Sequence, residues 1–348
     1  MKIEPDMYTP PPGTHDALRL HLNENTAGCS PAALAAIRSI SREDTAYYPD
    51  YAPVTRATAR WLGVPEDWVL LTNGLDEGLH LVAQAGALGS HGHVLFPEPA
   101  FEMYAACAEA SGLGVVRVQP GPDFAYPLEA LLGAVSAETR VIYLTDPNNP
   151  TGLPIPRGAI EQLATAAPDA LVLVDEAYAD FSGRTAVGSL LDRRRNLVVG
   201  RTFAKSFGLA ALRAGALVAH PDTLARARRI QPPFSLNICA VRALEAALDD
   251  RPYLEWYVAQ SAESRALIYA FAGRHGLTHW PSEANFVLVR VGPDAPDLVR
   301  VMAERGILIR DRSGAPGCAG CVRITAGPVE HTRRCLDVLE ECLATSAR

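Results

Sequence analysis

Asn196-Leu-Val-Val-Gly-Arg-Thr-Phe-Ala-Lys-Ser-Phe207 is the stretch on which the fold turns. Its first half is a short apolar, β-branched run without polar alternation, the pattern of a strand buried on both faces. Lys205 follows just past the strand end. Reactive groups on loops at strand ends, held by a rigid sheet, are how an α/β scaffold presents chemistry. The thirty-two Lys plus Arg residues include only two lysines, Lys2 and Lys205. A chain that meets its need for positive charge with Arg has kept one interior Lys, and what Lys does that Arg cannot is lose its proton and attack a carbonyl. Lys205 is therefore a candidate nucleophile, against the plainer reading that codon bias removed the other lysines and spared this one.

Working upstream, Ala170-Leu-Val-Leu-Val reads as a second buried strand and ends in Asp175-Glu-Ala-Tyr178. Val69-Leu-Leu-Thr, Val94-Leu-Phe, Val115-Val-Arg-Val, Val141-Ile-Tyr-Leu and Gly215-Ala-Leu-Val complete a set of seven such runs. Helical stretches lie between most of them; in 75–86, Leu75, Leu79, Val82 and Ala83 fall on one face. The alternation predicts an α/β fold, a mainly parallel seven-stranded sheet covered by helices on both sides. After Pro232-Pro233 the texture changes. Helical segments over 240–274 lead to Asn285-Phe-Val-Leu-Val, Gly306-Ile-Leu-Ile-Arg and Cys321-Val-Arg-Ile-Thr, with a closing helix over 330–343. This predicts a smaller α+β domain and a cleft against the larger one. The expected division is a large domain over 30–238 and a small domain over 239–348 joined by an N-terminal arm over 1–29.

Composition narrows the function. A net charge of −7 argues against a nucleic-acid surface, and Arg193-Arg194-Arg195 reads as a solvated loop. No run is long and apolar enough to span a bilayer, and Met1-Lys-Ile-Glu-Pro-Asp lacks a signal-peptide core, so a cytoplasmic enzyme is expected. Seven scattered cysteines do not make a disulfide framework. Cys318-Ala-Gly-Cys321 has metal-ligand spacing without a second pair, which favours structural thiols and no metal site.

Two loops at strand ends carry more. Thr72-Asn-Gly-Leu-Asp-Glu-Gly78 joins a strand to a helix and aims backbone N–H groups and a positive dipole end at whatever lies there. Asp146-Pro-Asn-Asn-Pro-Thr-Gly152 is a backbone-fixing loop, overbuilt for a mere turn.

Taken in order, Asn23-Glu-Asn25, Tyr48-Pro49, Asn73 to Gly78, Pro99-Ala-Phe101, Asn149-Pro-Thr-Gly152, Asp175-Glu-Ala-Tyr178, Thr202 to Lys205 with Arg213, and Arg323-Ile-Thr-Ala-Gly327 resemble the fold-type I pyridoxal-phosphate enzymes. More narrowly, they resemble the histidinol-phosphate aminotransferase group of class I and II aminotransferases. The resemblance covers nearly the whole chain and implies pyridoxal 5′-phosphate as cofactor. It implies that Lys205 bonds the cofactor aldehyde and then shuttles a proton, and that Asp175 faces the ring nitrogen. Tyr178 and Asn149 would bond the phenolic oxygen, and Phe101 would stack on the ring, although Phe101 and Tyr104 also fit plain helix packing. Gly74, Leu75, Asp76, Thr202 and Arg213 would cradle the phosphate, with Tyr48 supplied by the second subunit of a homodimer. Ala204 departs from the family, where Ser often precedes the lysine, and Ser206 lies on the wrong side to replace it.

For the substrate, the resemblance implies Arg323 as grip for a carboxylate or phosphate, Arg310 as a further phosphate contact, and Asn23 and Tyr8 as substrate-side residues. The expected partners are small molecules, an amino donor and a 2-oxo acid acceptor, with histidinol phosphate and 2-oxoglutarate leading. An aromatic or other amino-acid aminotransferase remains open, as do a decarboxylase resembling threonine-phosphate decarboxylase and a binding protein without turnover.

Overall fold

The structure, a computed structural model, describes residues 16–89 and 91–346. Thirteen strands occur among them, in chain order β1 (Leu18–Arg19), β2 (Val69–Asn73), β3 (His93–Pro97), β4 (Gly114–Val118), β5 (Thr139–Thr145), β6 (Leu171–Asp175), β7 (Leu197–Thr202), β8 (Ala214–Val218), β9 (Thr278–His279), β10 (Phe286–Arg290), β11 (Ile307–Leu308), β12 (Arg310–Asp311) and β13 (Cys321–Thr325). The seven apolar runs expected to be strands form one sheet in the order β2-β8-β7-β6-β5-β3-β4. All its pairings are parallel except those of β8, which runs against both neighbours.

Side-chain alternation divides each central strand between two cores. In β5, Val141 and Tyr143 pack with Leu75, Leu79 and Tyr104 on one face, and Ile142 and Leu144 pack with Leu163, Val172 and Val174 on the other. A strand buried on both faces must be apolar at every position, which is why these runs lack the polar alternation of a half-exposed strand. Helix Gly74–Ala87 sits on the sheet directly over β8. A Cβ at Gly215 would lie 2.6 Å from the Gly74 carbonyl carbon and 2.6 Å from the Leu75 nitrogen, so only glycine lets the helix start approach this closely.

The smaller sheet differs from the three strands expected. Its order is β12-β13-β10-β9, all antiparallel. The run Gly306-Ile-Leu-Ile-Arg is not one strand. It breaks at Ile309, giving β11, which pairs in parallel with β1, and β12, which pairs with β13. Two sheets share one short apolar run, and periodicity alone cannot see the break. The edge strand β9 is only two residues long and carries no apolar signal.

The stretch expected to be helical over 240–274 is two helices, Ile238–Asp249 capped by Asn237 and Arg251–Arg274 capped by Asp250. The first packs its Ala240, Leu244 and Leu248 with Ala33, Val54 and Phe203 beside the large sheet, whereas Ile268 and Phe271 of the second pack with Val287 and Ile324 of the small one. On this packing we propose the two-domain division with its boundary at Asp250 instead of 238. The closing helix is Val329–Ser346. Among the described residues no helix is long and apolar enough to cross a membrane.

Candidate active site

The C-terminal ends of β5, β6 and β7, the start of helix Gly74–Ala87, β13 and the segment around Leu22 converge on Lys205. Its Nζ donates to the Leu22 carbonyl at 2.9 Å. Burial, aided by the positive charge of Arg323, brings the amine down from its ordinary 10.5 to about 8. The loop that carries Lys205 is fixed from behind. Asn25 donates to the Ser206 carbonyl at 3.1 Å, and the Ser206 hydroxyl donates to Asp180. Asp180 in turn shares buried Arg201 with Glu176, whose Oε2 lies 3.0 Å from Nη1. Ser206 is thus committed to this network and does not replace the hydroxyl that Ala204 lacks.

Asp175 closes β6 in full burial. Its Oδ2 accepts from the Tyr104 hydroxyl at 2.8 Å and its Oδ1 from the Ala177 amide at 3.0 Å. Both partners are neutral, and burial pushes the carboxyl up to about 6 despite the Tyr104 bond. Tyr178 follows three residues on, its phenolic oxygen accepting from Asn23 Nδ2 at 3.0 Å, which leaves its O–H to donate elsewhere. Asn23 holds its left-handed φ of 56° through a backbone bond to Thr325 Oγ1 at 3.1 Å. Asn tolerates that conformation better than bulkier residues.

The helix start after β2 fits an anion. The N-cap position, Asn73, makes no side-chain cap bond, so the amides of Gly74, Leu75 and Asp76 are available at the positive dipole end. Arg213, itself in the left-handed region, places Nη2 2.6 Å from Asp76 Oδ2, against Gly74, where a Cβ would collide with the guanidinium. Thr202, buried at the end of β7, accepts from the Ala204 amide at 3.2 Å.

Arg323 lies on β13, buried, with Nη1 bonded to Asn149 Oδ1 and Nη2 to the His21 carbonyl at 2.7 Å. It caps the Phe286 ring at 5.3 Å, and burial lowers even its guanidinium to about 10. Arg310 pairs directly opposite Arg323 in the β12–β13 register, so both side chains leave the same face. Eleven of the sequence candidates thus fall together: Lys205, Asp175, Tyr178, Asn149, Asn23, Arg323, Arg213, Thr202, Gly74, Leu75 and Asp76. Phe101 stands nearby, edge-on to Tyr104 at 5.9 Å. Tyr48 is not brought in: it is exposed and stacks on Phe234 at 4.0 Å. Tyr8 lies outside the described residues. Sequence reasoning weighed Tyr104 only as helix packing; it lies in the first turn of helix Met103–Ala110, and no local signal marks its contact with Asp175. Cys318 and Cys321 are buried, with the Cys318 thiol pushed up to about 12 by burial, an environment that disfavours the thiolate a metal would need.

A buried carboxylate in no ion pair among the described residues, a lysine eased toward neutrality and an uncapped helix start beside an arginine make three demands. They ask for a cationic ring nitrogen, a carbonyl and a phosphate, and on one scaffold they define a fold-type I pyridoxal-phosphate enzyme. Residues 15–339 match the family described as Aminotransferase class I and II, and the chain belongs to that family. It is 37% identical over 338 residues to a histidinol-phosphate aminotransferase of Symbiobacterium thermophilum, covering 95% of this chain and 92% of the relative. It is likewise 37% identical over 336 residues to histidinol-phosphate aminotransferase 2 of Ralstonia nicotianae, covering 94% and 89%. Among solved structures, the histidinol-phosphate aminotransferase of Sinorhizobium meliloti in complex with pyridoxal-5′-phosphate superposes with a TM-score of 0.84 at 29% identity, covering 94% of this chain and 91% of that one.

Proposed function

We propose that the enzyme moves the amino group of histidinol phosphate to 2-oxoglutarate, giving imidazole-acetol phosphate and glutamate. The observation that carries the substrate reading is Arg310 set opposite Arg323 on the cleft-facing side of β12 and β13. Two guanidiniums on one face suit a phosphate, and one of them suits the carboxylate of the second substrate. The named relatives support the same reading.

The bound cofactor would supply an aldehyde that bonds amines and a ring that accepts electron density. Lys205, Asp175, Tyr178, Asn149, Thr202, Arg213 and the amides of 74–76 are the residues that would hold it. Lys205 Nζ, near neutrality at pH 8, would take the proton from the substrate carbon and return it. Asp175 would keep a negative charge against the ring nitrogen, with Tyr104 holding its Oδ2 in place. Tyr178 would direct its O–H while Asn23 steadies its oxygen.

We further propose a cytoplasmic homodimer. Tyr47 and Tyr48 are 73% and 77% exposed, beside Phe234 at 49%, and such an aromatic patch supports a second copy seated there. The substrate reading is tested by half-reactions with histidinol phosphate, histidinol, phenylalanine, tyrosine and threonine phosphate, in wild type and Arg310→Ala. Loss of one charge-assisted contact should cost about 1.5–3 kcal/mol, roughly ten- to a hundredfold in kcat/KM for the phosphorylated donor only. Equal use of phosphorylated and unphosphorylated donors by both proteins would defeat it. Release of carbon dioxide from threonine phosphate would favour the decarboxylase alternative.

A further inference from the structure

Beyond Asp311 the β12 strand ends, but the ladder runs one residue further: the Arg312 amide donates to the Cys321 carbonyl at 2.9 Å. By the two-residue alternation of an extended chain, Arg312 therefore leaves the same face as Arg310 and Arg323. Its side chain is only 10% exposed and lines a cavity of about 410 Å³ together with Phe101, Glu102 and Arg310. Arg312 Nη1 meets Glu102 Oε1 at 2.6 Å, while its buried Nε has no hydrogen-bond partner among the described residues. A buried guanidinium with an unused donor, on the wall of a cavity, has capacity for another acceptor.

Glu102 is placed differently. It stands at the start of helix Met103–Ala110, with its side chain 44% exposed, so its carboxylate can turn into water at little cost. The other acids on the cavity wall are committed. Glu98 accepts from the Ala100 amide at 3.0 Å and pairs with Arg117 at 3.3 Å, and Asp311 accepts from the Ser313 amide and hydroxyl at 2.8 and 2.6 Å. Glu102 is the one acid of the three held by a residue on the Arg310 face. Burial alone would raise its carboxyl, yet Arg312 and then Arg310 overcome that and hold it below the usual range.

We propose that Arg312 is a third guanidinium for the anionic end of the substrate and that Glu102 is its resident counter-ion, displaced when a phosphate dianion binds. The inference rests on the phosphorylated-substrate reading above. A dianion with three acceptor oxygens can satisfy Arg312 and Arg310 at once, which a single carboxylate on a fixed helix end does not. Glu102 then acts as a selectivity filter. It is outcompeted by a phosphate and competes more evenly with a carboxylate or a neutral group, so the pair discriminates donors by the charge of their far end.

The test measures, in the holoenzyme, the ratio of kcat/KM for histidinol phosphate over histidinol, and separately the binding of inorganic phosphate by calorimetric titration. Arg312→Gln should lower the ratio about ten- to a hundredfold and weaken phosphate binding. Glu102→Gln should change both in the opposite direction, by roughly three- to tenfold, and Arg312→Lys should recover part of the loss. If the pair only ties the two sheets together, both neutralising variants will shift the ratio and phosphate binding the same way or not at all, and the proposal falls. Phosphate binding that changes in opposite directions supports it even if wild type ignores histidinol phosphate, a result that removes the substrate reading alone. Turnover of histidinol phosphate by wild type with no response in either variant does the reverse.

Discussion

Lys205 carries a prediction that its surroundings make quantitative. With the amine at about 8 instead of 10.5, the neutral fraction at pH 7 rises from roughly 0.03% to about 10%, some three-hundredfold more attacking amine. The rate at which cofactor-free protein bonds added pyridoxal phosphate should then climb about tenfold per pH unit and level off near pH 8. Borohydride quenching at timed intervals, followed by peptide mapping, reads the rate directly. Only Lys2 and Lys205 can carry a side-chain label, so the map is unambiguous. Arg323→Met removes a cation that lowers the amine and should move the inflection upward, but burial remains the larger cause and should keep it below 10.5. The same shift bears on stability. The folded chain holds its proton less tightly than the unfolded one, so the cost of the buried ammonium is fully present below about pH 8 and is relieved as pH rises toward 10.5. An inflection near 10, or label found on the Lys2 peptide alone, would refute the reasoning.

Asp175→Asn should cut turnover roughly a hundredfold or more, corresponding to about 3 kcal/mol of lost transition-state stabilisation, and near wild-type turnover would show that Asp175 does not face the ring nitrogen. In cofactor-free protein the same change should stabilise. A carboxyl raised from 3.8 to about 6 loses stability as pH climbs through that window, so denaturant melts should show a gain of up to about 3 kcal/mol at pH 7 and none near pH 4. Mixing Tyr48→Phe with Lys205→Ala should restore activity through heterodimers that hold one site with both residues intact. No gain despite proven subunit exchange, or an active cofactor-loaded monomer in sedimentation, would overturn the shared site.

The large sheet was legible because its central strands are buried on both faces and must be apolar at every position, which makes the runs stand out from amphipathic helices. The small sheet was less legible for the converse reason. β9 and β12 are two-residue edges, and one apolar run serves two sheets, so hydrophobicity marks that a strand exists without saying where it breaks. In the division we propose, the helix Ile238–Asp249 goes with the large sheet although the sequence texture changes before it, since a change of texture records where strands stop, not which core a helix joins.

In the site, the legible residues are those whose chemistry is unusual for their place: a lone lysine, an acid ending an apolar strand, an Asn-Gly helix start. Tyr104 and Arg312 are ordinary residue types for a helix and a strand end, and only contacts across the fold give them a part. Tyr104 matters because helix Met103–Ala110 delivers its hydroxyl to Asp175 and Thr145, 71 and 41 residues away in sequence. Arg312 matters because its partner, Glu102, lies 210 residues earlier. Neither pairing leaves a local pattern: Tyr104 reaches the ends of β5 and β6 by packing of its helix on the large sheet, and Arg312 reaches Glu102 across the two sheets. The residues proposed to hold the cofactor are therefore the ones the sequence reveals first. A hydroxyl set on a buried carboxylate and an ion pair on a cavity wall emerge only when segments distant in sequence are packed together.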